Sequence, residues 1–179
     1  MTKETDPWLL MGRAKEGESE AFSQLYELYF VPVFRYIFFR VQQKEVAEDL
    51  TQTVFLKAYK AVERFPTEGQ SPLAYFFAIA KNTVIDYYRK KKDIPEDPER
   101  FTRREDTKDT HMTNVEFRID GERCLQAVKQ LKSDQQEVIV LRFINEMTTA
   151  EIAEILGKNE DAVRQLQCRA LKTLRISLQ

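Results

Sequence analysis

Arg164, Gln165, Cys168, Arg169 and Lys172 lie close together near the end of the sequence. At helical periodicity they share one face. Two guanidinium groups, an amide and an ammonium so placed have the donors to read guanine or adenine edges and to hold phosphates in a major groove. Cys168 hydrogen-bonds poorly and suits an apolar group such as a thymine methyl. The same face is equally that of a solvated helix packed on its neighbour.

A second group is Lys81, Arg89, Lys90, Lys91 and Lys92, interleaved with Tyr75, Phe76, Tyr87 and Tyr88 and met by one acid, Asp86. Bases stack on rings while cations hold phosphates, so this pattern suits single-stranded or melted nucleic acid. Its plainer reading is a buried aromatic stripe with cations placed to favour the helix dipole.

Other chemistry has little to work with. His111 is the single histidine, Cys124 and Cys168 are far apart with no metal-ligand spacing, and the five glycines form no phosphate-cradling cluster. No nucleophile, base and oxyanion donor can be assembled by spacing, so neither an enzyme nor a cofactor or metal site is expected. The cysteines are expected to be reduced thiols. With 42% hydrophobic and 32% charged residues among 179, the chain reads as soluble and globular. No apolar run approaches the ~20 residues of a membrane span and the first residues do not resemble a signal peptide, which points to the cytoplasm. The net charge of −1 gives no global pull toward nucleic acid, so binding must come from local patches.

The elements that position these residues are all helical. Thr148 and Glu151 have capping-box spacing, Gly157 stands where a left-handed residue ends a helix, and Asn159 caps the next one. Val163, Leu166, Ala170 and Leu174 then share an inward face, which makes 148–174 a helix-turn-helix. Upstream, Pro7 opens a short amphipathic helix on Trp8, Leu9, Met11 and Ala14 that ends near Gly17, and 19–40 is a strongly periodic helix in which Pro32 implies a kink or break near 29–30. Residues 46–65 form a helix with Ala47, Leu50, Val54, Leu56, Ala58 and Val62 at apolar intervals and Glu48, Asp49, Gln52, Lys57 and Lys60 opposite. That polar face is either simply solvated or, beside Phe55, a docking surface. A turn-rich loop, 66–72, leads to a helix capped by Ser71 with Pro72 at its first position. Residues 93–114 are acid-rich, carry Pro95 and Pro98, and read as a linker. At ~3.3 Å per residue it would reach beyond one ~34 Å turn of duplex. From Val115 a second small domain begins, with Leu125, Val128 and Leu131 as a first stripe and Ser133 with Gln136 as another capping box. The expectation is an all-α chain of two small helical domains, 7–92 and 115–179, joined by a flexible acidic linker.

Several motifs, taken in register, resemble the extracytoplasmic-function sigma factors of the bacterial sigma-70 family. They are Asp49-Leu50-Thr51-Gln52 with Val54-Phe55-Leu56-Lys57-Ala58, Ile79-Ala80-Lys81-Asn82 with Asp86-Tyr87-Tyr88-Arg89, Gln136-Glu137-Val138 with Leu141-Arg142-Phe143, and Glu151-Ile152-Ala153-Glu154. The resemblance implies a dissociable subunit that gives core RNA polymerase its promoter specificity. It implies polymerase docking through Asp49, Gln52 and Phe55. It implies recognition of a melted −10 element through Phe65, the 66–72 loop, Lys81, Asn82, Asp86, Arg89 and Lys90, and reading of a duplex −35 element through the Arg164 to Lys172 face. An anti-sigma factor is implied as a further partner.

The sequence departs from the family pattern at Thr53, where an acid is usual, and at Tyr75, where tryptophan is usual. Glu160 and Asp161 put two acids at the start of the recognition helix; an acid there repels phosphate but can accept from cytosine N4. Two other functions fit parts of the pattern: a helix-turn-helix regulator that is not a polymerase subunit, which would bind duplex DNA alone as a dimer, and an interaction protein that never meets DNA.

Overall fold

The computed structural model of the chain describes residues 6–66, 70–93 and 120–178. Every regular element among them is a helix. Asp6 caps α1 (Pro7–Lys15) by accepting from Trp8 N–H at 3.0 Å, and Pro7 sits where no donor is needed. The buried side of α1 is Leu10, Met11 and Ala14, whereas Trp8 and Leu9, expected inside, are largely exposed. Gly17, at φ 90°, turns the chain into α2 (Ser19–Val41).

Of the kink or break expected near residues 29–30 from Pro32, the break does not occur: α2 runs unbroken through the proline. Proline forfeits one backbone bond, to the Leu28 carbonyl. Tyr29, Val33, Tyr36 and Ile37 are all buried around it, so packing on both sides holds the helix together.

Helix α3 (Lys44–Ala61) starts earlier than the sequence suggests and ends in a 3₁₀ turn, Val62–Arg64. Ala47, Val54, Phe55 and Ala58 face inward, but Leu56, expected with them, is 60% exposed. It falls two residues after Val54, half a turn away from the buried stripe. Ser71 caps α4 (Pro72–Asp93) as expected, its Oγ accepting from Ala74 N–H at 3.1 Å. The expected linker, 93–114, lies almost wholly outside the described residues, as does His111.

The C-terminal half comprises α5 (Asp120–Lys129), α6 (Ser133–Ile139), α7 (Thr149–Leu156) and α8 (Glu160–Ser177). Ser133 does not cap α6. The cap position is Lys132, so the Ser133 hydroxyl already lies within the helix and makes no capping bond. After Ile139 the helix widens into a π-helical turn, Val140–Ile144, closed by Arg142 Nη1 donating to the Met147 carbonyl at 2.7 Å. The helix-turn-helix forms as expected. The Thr148–Glu151 capping box is complete, Gly157 is left-handed at φ 62°, and Asn159 Oδ1 accepts from Ala162 N–H at 2.7 Å.

The two halves share one core. A single apolar cluster runs from Leu10 and Leu25 through Val54 and Phe76 to Val138, Leu141, Ile152 and Val163. A smaller cluster of Leu131, Ile139 and Ala170, flanked by Val128 and Leu174, holds α8 on α6.

Two glycines should respond to alanine with opposite sign, because neither added Cβ meets any atom within 4 Å. Gly12→Ala, inside α1, should stabilise by ~0.5–1 kcal/mol. Gly157→Ala, with its positive φ, should destabilise by about 1–2 kcal/mol. Urea unfolding of the two variants measures both.

Candidate nucleic-acid interface

Helix α8 is built to show one face. Val163 and Ala170 are buried and Leu166 and Leu174 half-buried, which turns Arg164, Gln165, Cys168, Arg169 and Lys172 outward; all five are exposed. The sequence therefore placed this face correctly. Arg164 is not free on it: Nη2 donates to Glu160 Oε2 and Nη1 to Asp161 Oδ1, each at 2.8 Å. Among the described residues Arg169 and Lys172 have no ion-pair partner.

The second group of candidates is arranged along α4 and meets the C-terminal half. Lys81 lies 3.6 Å from Glu137 of α6. Asn82, Arg89 and Lys90 are exposed. Asp86 is held between Lys57 at 3.8 Å and Arg89 at 3.1 Å. Phe65 is not an open pocket wall: it is buried against Trp8 and Tyr75, and its carbonyl accepts from Lys15 Nζ at 2.7 Å. Tyr75 donates to the Ala58 carbonyl at 3.0 Å, so its ring belongs to the core. Ser71 gives both its N–H and its hydroxyl to Glu154 of α7. A carboxylate from the helix-turn-helix thus sits at the N-terminus of α4, where the dipole favours an anion.

Sequence reasoning missed the group at the centre of this contact. Glu137 has a side chain only 4% exposed, and three residues of the N-terminal half converge on it. The Tyr36 hydroxyl donates to Oε1 at 2.7 Å, Arg40 Nη1 stands 3.8 Å from the same oxygen, and Lys81 faces Oε2. Burial first, and then the Glu137 charge, push the Tyr36 hydroxyl well above the ordinary tyrosine range, which keeps it a donor. Asn145 adds a third polar tie across the halves, donating from Nδ2 to the Pro32 carbonyl at 2.7 Å. No periodicity signal marks Glu137, because its partners are remote in sequence. An acid directly before the apolar run Val138 to Leu141 was the available hint.

Asp49 and Gln52 are exposed on α3. Phe55 is buried against Tyr26 and Phe76, with ring centroids at 4.7 and 5.3 Å. It forms the floor of an apolar groove of about 340 Å3 lined also by Phe22, Tyr26, Gln52 and Leu56. The exposed Leu56 is therefore a wall of that groove. Cys124 and Cys168 are both free and exposed.

Comparison with known proteins follows this division of the chain. Residues 25–94 match the family Sigma-70 region 2, and residues 122–174 match Sigma-70, region 4. The ECF RNA polymerase sigma factor BldN of Streptomyces coelicolor is 36% identical over 167 residues, covering 92% of this chain and 63% of BldN. This chain thus spans less than two thirds of that relative's length. The ECF RNA polymerase sigma factor SigX of Bacillus subtilis is 30% identical over 165 residues, covering 87% of this chain and 82% of SigX. Among solved structures, CnrH in complex with the cytosolic domain of CnrY superposes with a TM-score of 0.73 at 24% identity over 96% of each chain. The sigma factor RpoE of Bartonella quintana, in complex with the anti-sigma factor NepR, superposes with a TM-score of 0.67 at 19% identity over 88% of this chain and 96% of RpoE. At those identities the two structures speak for the fold.

Tyr36→Phe removes the donor to Glu137 and leaves a buried carboxylate short of a hydrogen bond. The cost should be about 1–3 kcal/mol. Thermal unfolding should show it as a fall of several degrees, a drop that an exposed tyrosine such as Tyr59 would not give.

Proposed function

We propose a mechanism from one premise: the chain belongs to the extracytoplasmic-function sigma factors of the sigma-70 family. On this reading it is a dissociable subunit of bacterial RNA polymerase that acts in the cytoplasm and directs initiation at promoters of its own specificity. It contributes recognition and leaves the chemistry to the polymerase. The observation that carries the reading is a helix-turn-helix with a basic outward face, in a region 4 match, following a region 2 match whose last helix is basic and aromatic.

The division of labour follows the geometry. Residues 7–92 dock on polymerase and recognise the −10 element, 93–114 span the gap, and 115–179 read the −35 element. Gln52 rims an apolar groove floored by Phe55, a form that suits an amphipathic helix of the polymerase, and Asp49 is exposed on the same helix. Asn82 and Asp86 face the non-template strand, Lys81, Arg89 and Lys90 hold its backbone, and Phe65 backs the loop that receives an extruded base. Extrusion costs a few kcal/mol, which stacking and a fixed pocket must offset. Arg164, Gln165, Cys168, Arg169 and Lys172 enter the major groove at −35.

In the closed arrangement Glu137 occupies Lys81 and Glu154 occupies Ser71. Both are carboxylates standing on the −10 surface where DNA phosphate would come. The halves must therefore part when polymerase and promoter are engaged. Solved relatives were captured with CnrY and with the anti-sigma factor NepR; a partner of the same kind that favours the closed form is proposed here.

Run-off transcription with core polymerase on a promoter library should yield discrete start sites whose −35 and −10 sequences recur; no transcript above core alone would overturn the reading. Arg169→Ala should cost ~1–3 kcal/mol at one −35 position if the guanidinium meets a base, and weaken all sequences alike, with a shallower salt dependence, if it meets phosphate. Asp49→Ala combined with Gln52→Ala should reduce capture by core polymerase without changing the thermal midpoint. Undiminished capture would show that the docking face lies elsewhere.

A further inference from the structure

The first turn of α8 carries two acids, Glu160 and Asp161, that the division of labour above leaves unused. Glu160, Asp161 and Arg164 form one cluster on the outward face, all three exposed, with the guanidinium bonded to both carboxylates at 2.8 Å. The side-chain cap itself is supplied by Asn159, whose Oδ1 accepts from Ala162 N–H, and not by either acid. Exposed helical ion pairs add little to stability. Their consequence lies in what Arg164 can meet.

We propose that Glu160 and Asp161 are specificity-determining positioning residues that restrict Arg164 to a G·C pair at one position of the −35 duplex. The proposal rests on the promoter-reading function. The cluster has two negative charges and one positive, so it opposes phosphate and cannot serve as a backbone anchor. Arg169 and Lys172, which have no acid partner among the described residues, are free to meet either phosphate or base. The two ion pairs use two of the five guanidinium donors. Three remain, enough for guanine O6 and N7, while a carboxylate released from Arg164 can accept from the cytosine N4 of the same or the adjacent pair. Where no such pair lies beneath the first turn, the acids face bare acceptors and phosphates and binding is penalised. Discrimination thus comes from repulsion of wrong sequences as much as from attraction to the right one.

The test is holoenzyme binding to −35 duplexes substituted at each position in turn, with the full chain carrying Glu160→Gln and Asp161→Asn, separately and together. The double variant should gain about five- to tenfold on duplexes mismatched at one position and change less than twofold on the matched one, a range within the usual cost of one mismatch. Adding Arg164→Gln should abolish that gain, since the acids act through Arg164. An equal gain on every duplex means the acids supply only general repulsion, and overturns the proposal. A loss on every duplex, with a lower thermal midpoint, means they serve the helix start alone, and overturns it too. Wild-type holoenzyme with no −35 preference overturns the promoter-reading function along with it, whereas a normal −35 preference that the variants leave unchanged overturns only the role of the acids.

Discussion

A carboxylate with almost no access to water must be met by donors and cations, or it destabilises the structure that encloses it. Glu137 is such a group, and every partner it has comes from the other half of the molecule: the Tyr36 hydroxyl and Arg40 from α2 and Lys81 from α4. The rest of the arrangement depends on this. The shared apolar core brings the halves together, but apolar contact is tolerant of sliding; a buried charge with a 2.7 Å hydrogen bond is not. Glu154 on Ser71 and Asn145 on the Pro32 carbonyl fix the same register at two further points.

The choice of polar ties also bears on reversibility. When an interface held by charges opens, the carboxylate and its cations recover hydration, which offsets part of what is lost. A wholly apolar interface recovers nothing of the kind. A closed form sealed by Glu137 and Glu154 can therefore be specific and still yield to a partner that supplies other anions for the same cations. Meanwhile the α8 face remains open, so the two surfaces proposed to read DNA differ in the closed state: one is exposed, the other met by carboxylates at Lys81 and Ser71.

What was legible in the sequence was local. Thr148 with Glu151, Gly157, Asn159, and Ser71 with Pro72 each carry their structure in a few neighbouring residues, and the α8 face follows from periodicity alone. What was missed is set by distant packing. Pro32 stays helical because buried neighbours hold both flanking turns, and Ser133 loses its capping role because α6 begins one residue sooner. The π-helical turn at Val140–Ile144 has no sequence signature of its own. Leu56 reads as core until Phe55 and Tyr26 place it on the wall of a groove. The burial of Phe65 against Trp8 and Tyr75 likewise depends on rings from two other helices. Glu137 is the clearest case, since its partners Tyr36 and Arg40 stand about a hundred residues away.

Under the proposed function, the chain rests in a closed form and opens when polymerase and promoter are engaged. Paired spin labels at Lys60→Cys and Ile176→Cys, both exposed and one in each half, with Cys124 and Cys168 changed to Ser, measure the separation of the halves directly. The free chain should give one short, narrow distance distribution. Core polymerase with promoter DNA should replace it with a distribution longer by on the order of one ~34 Å helical turn. The same short distance in both states would contradict the account.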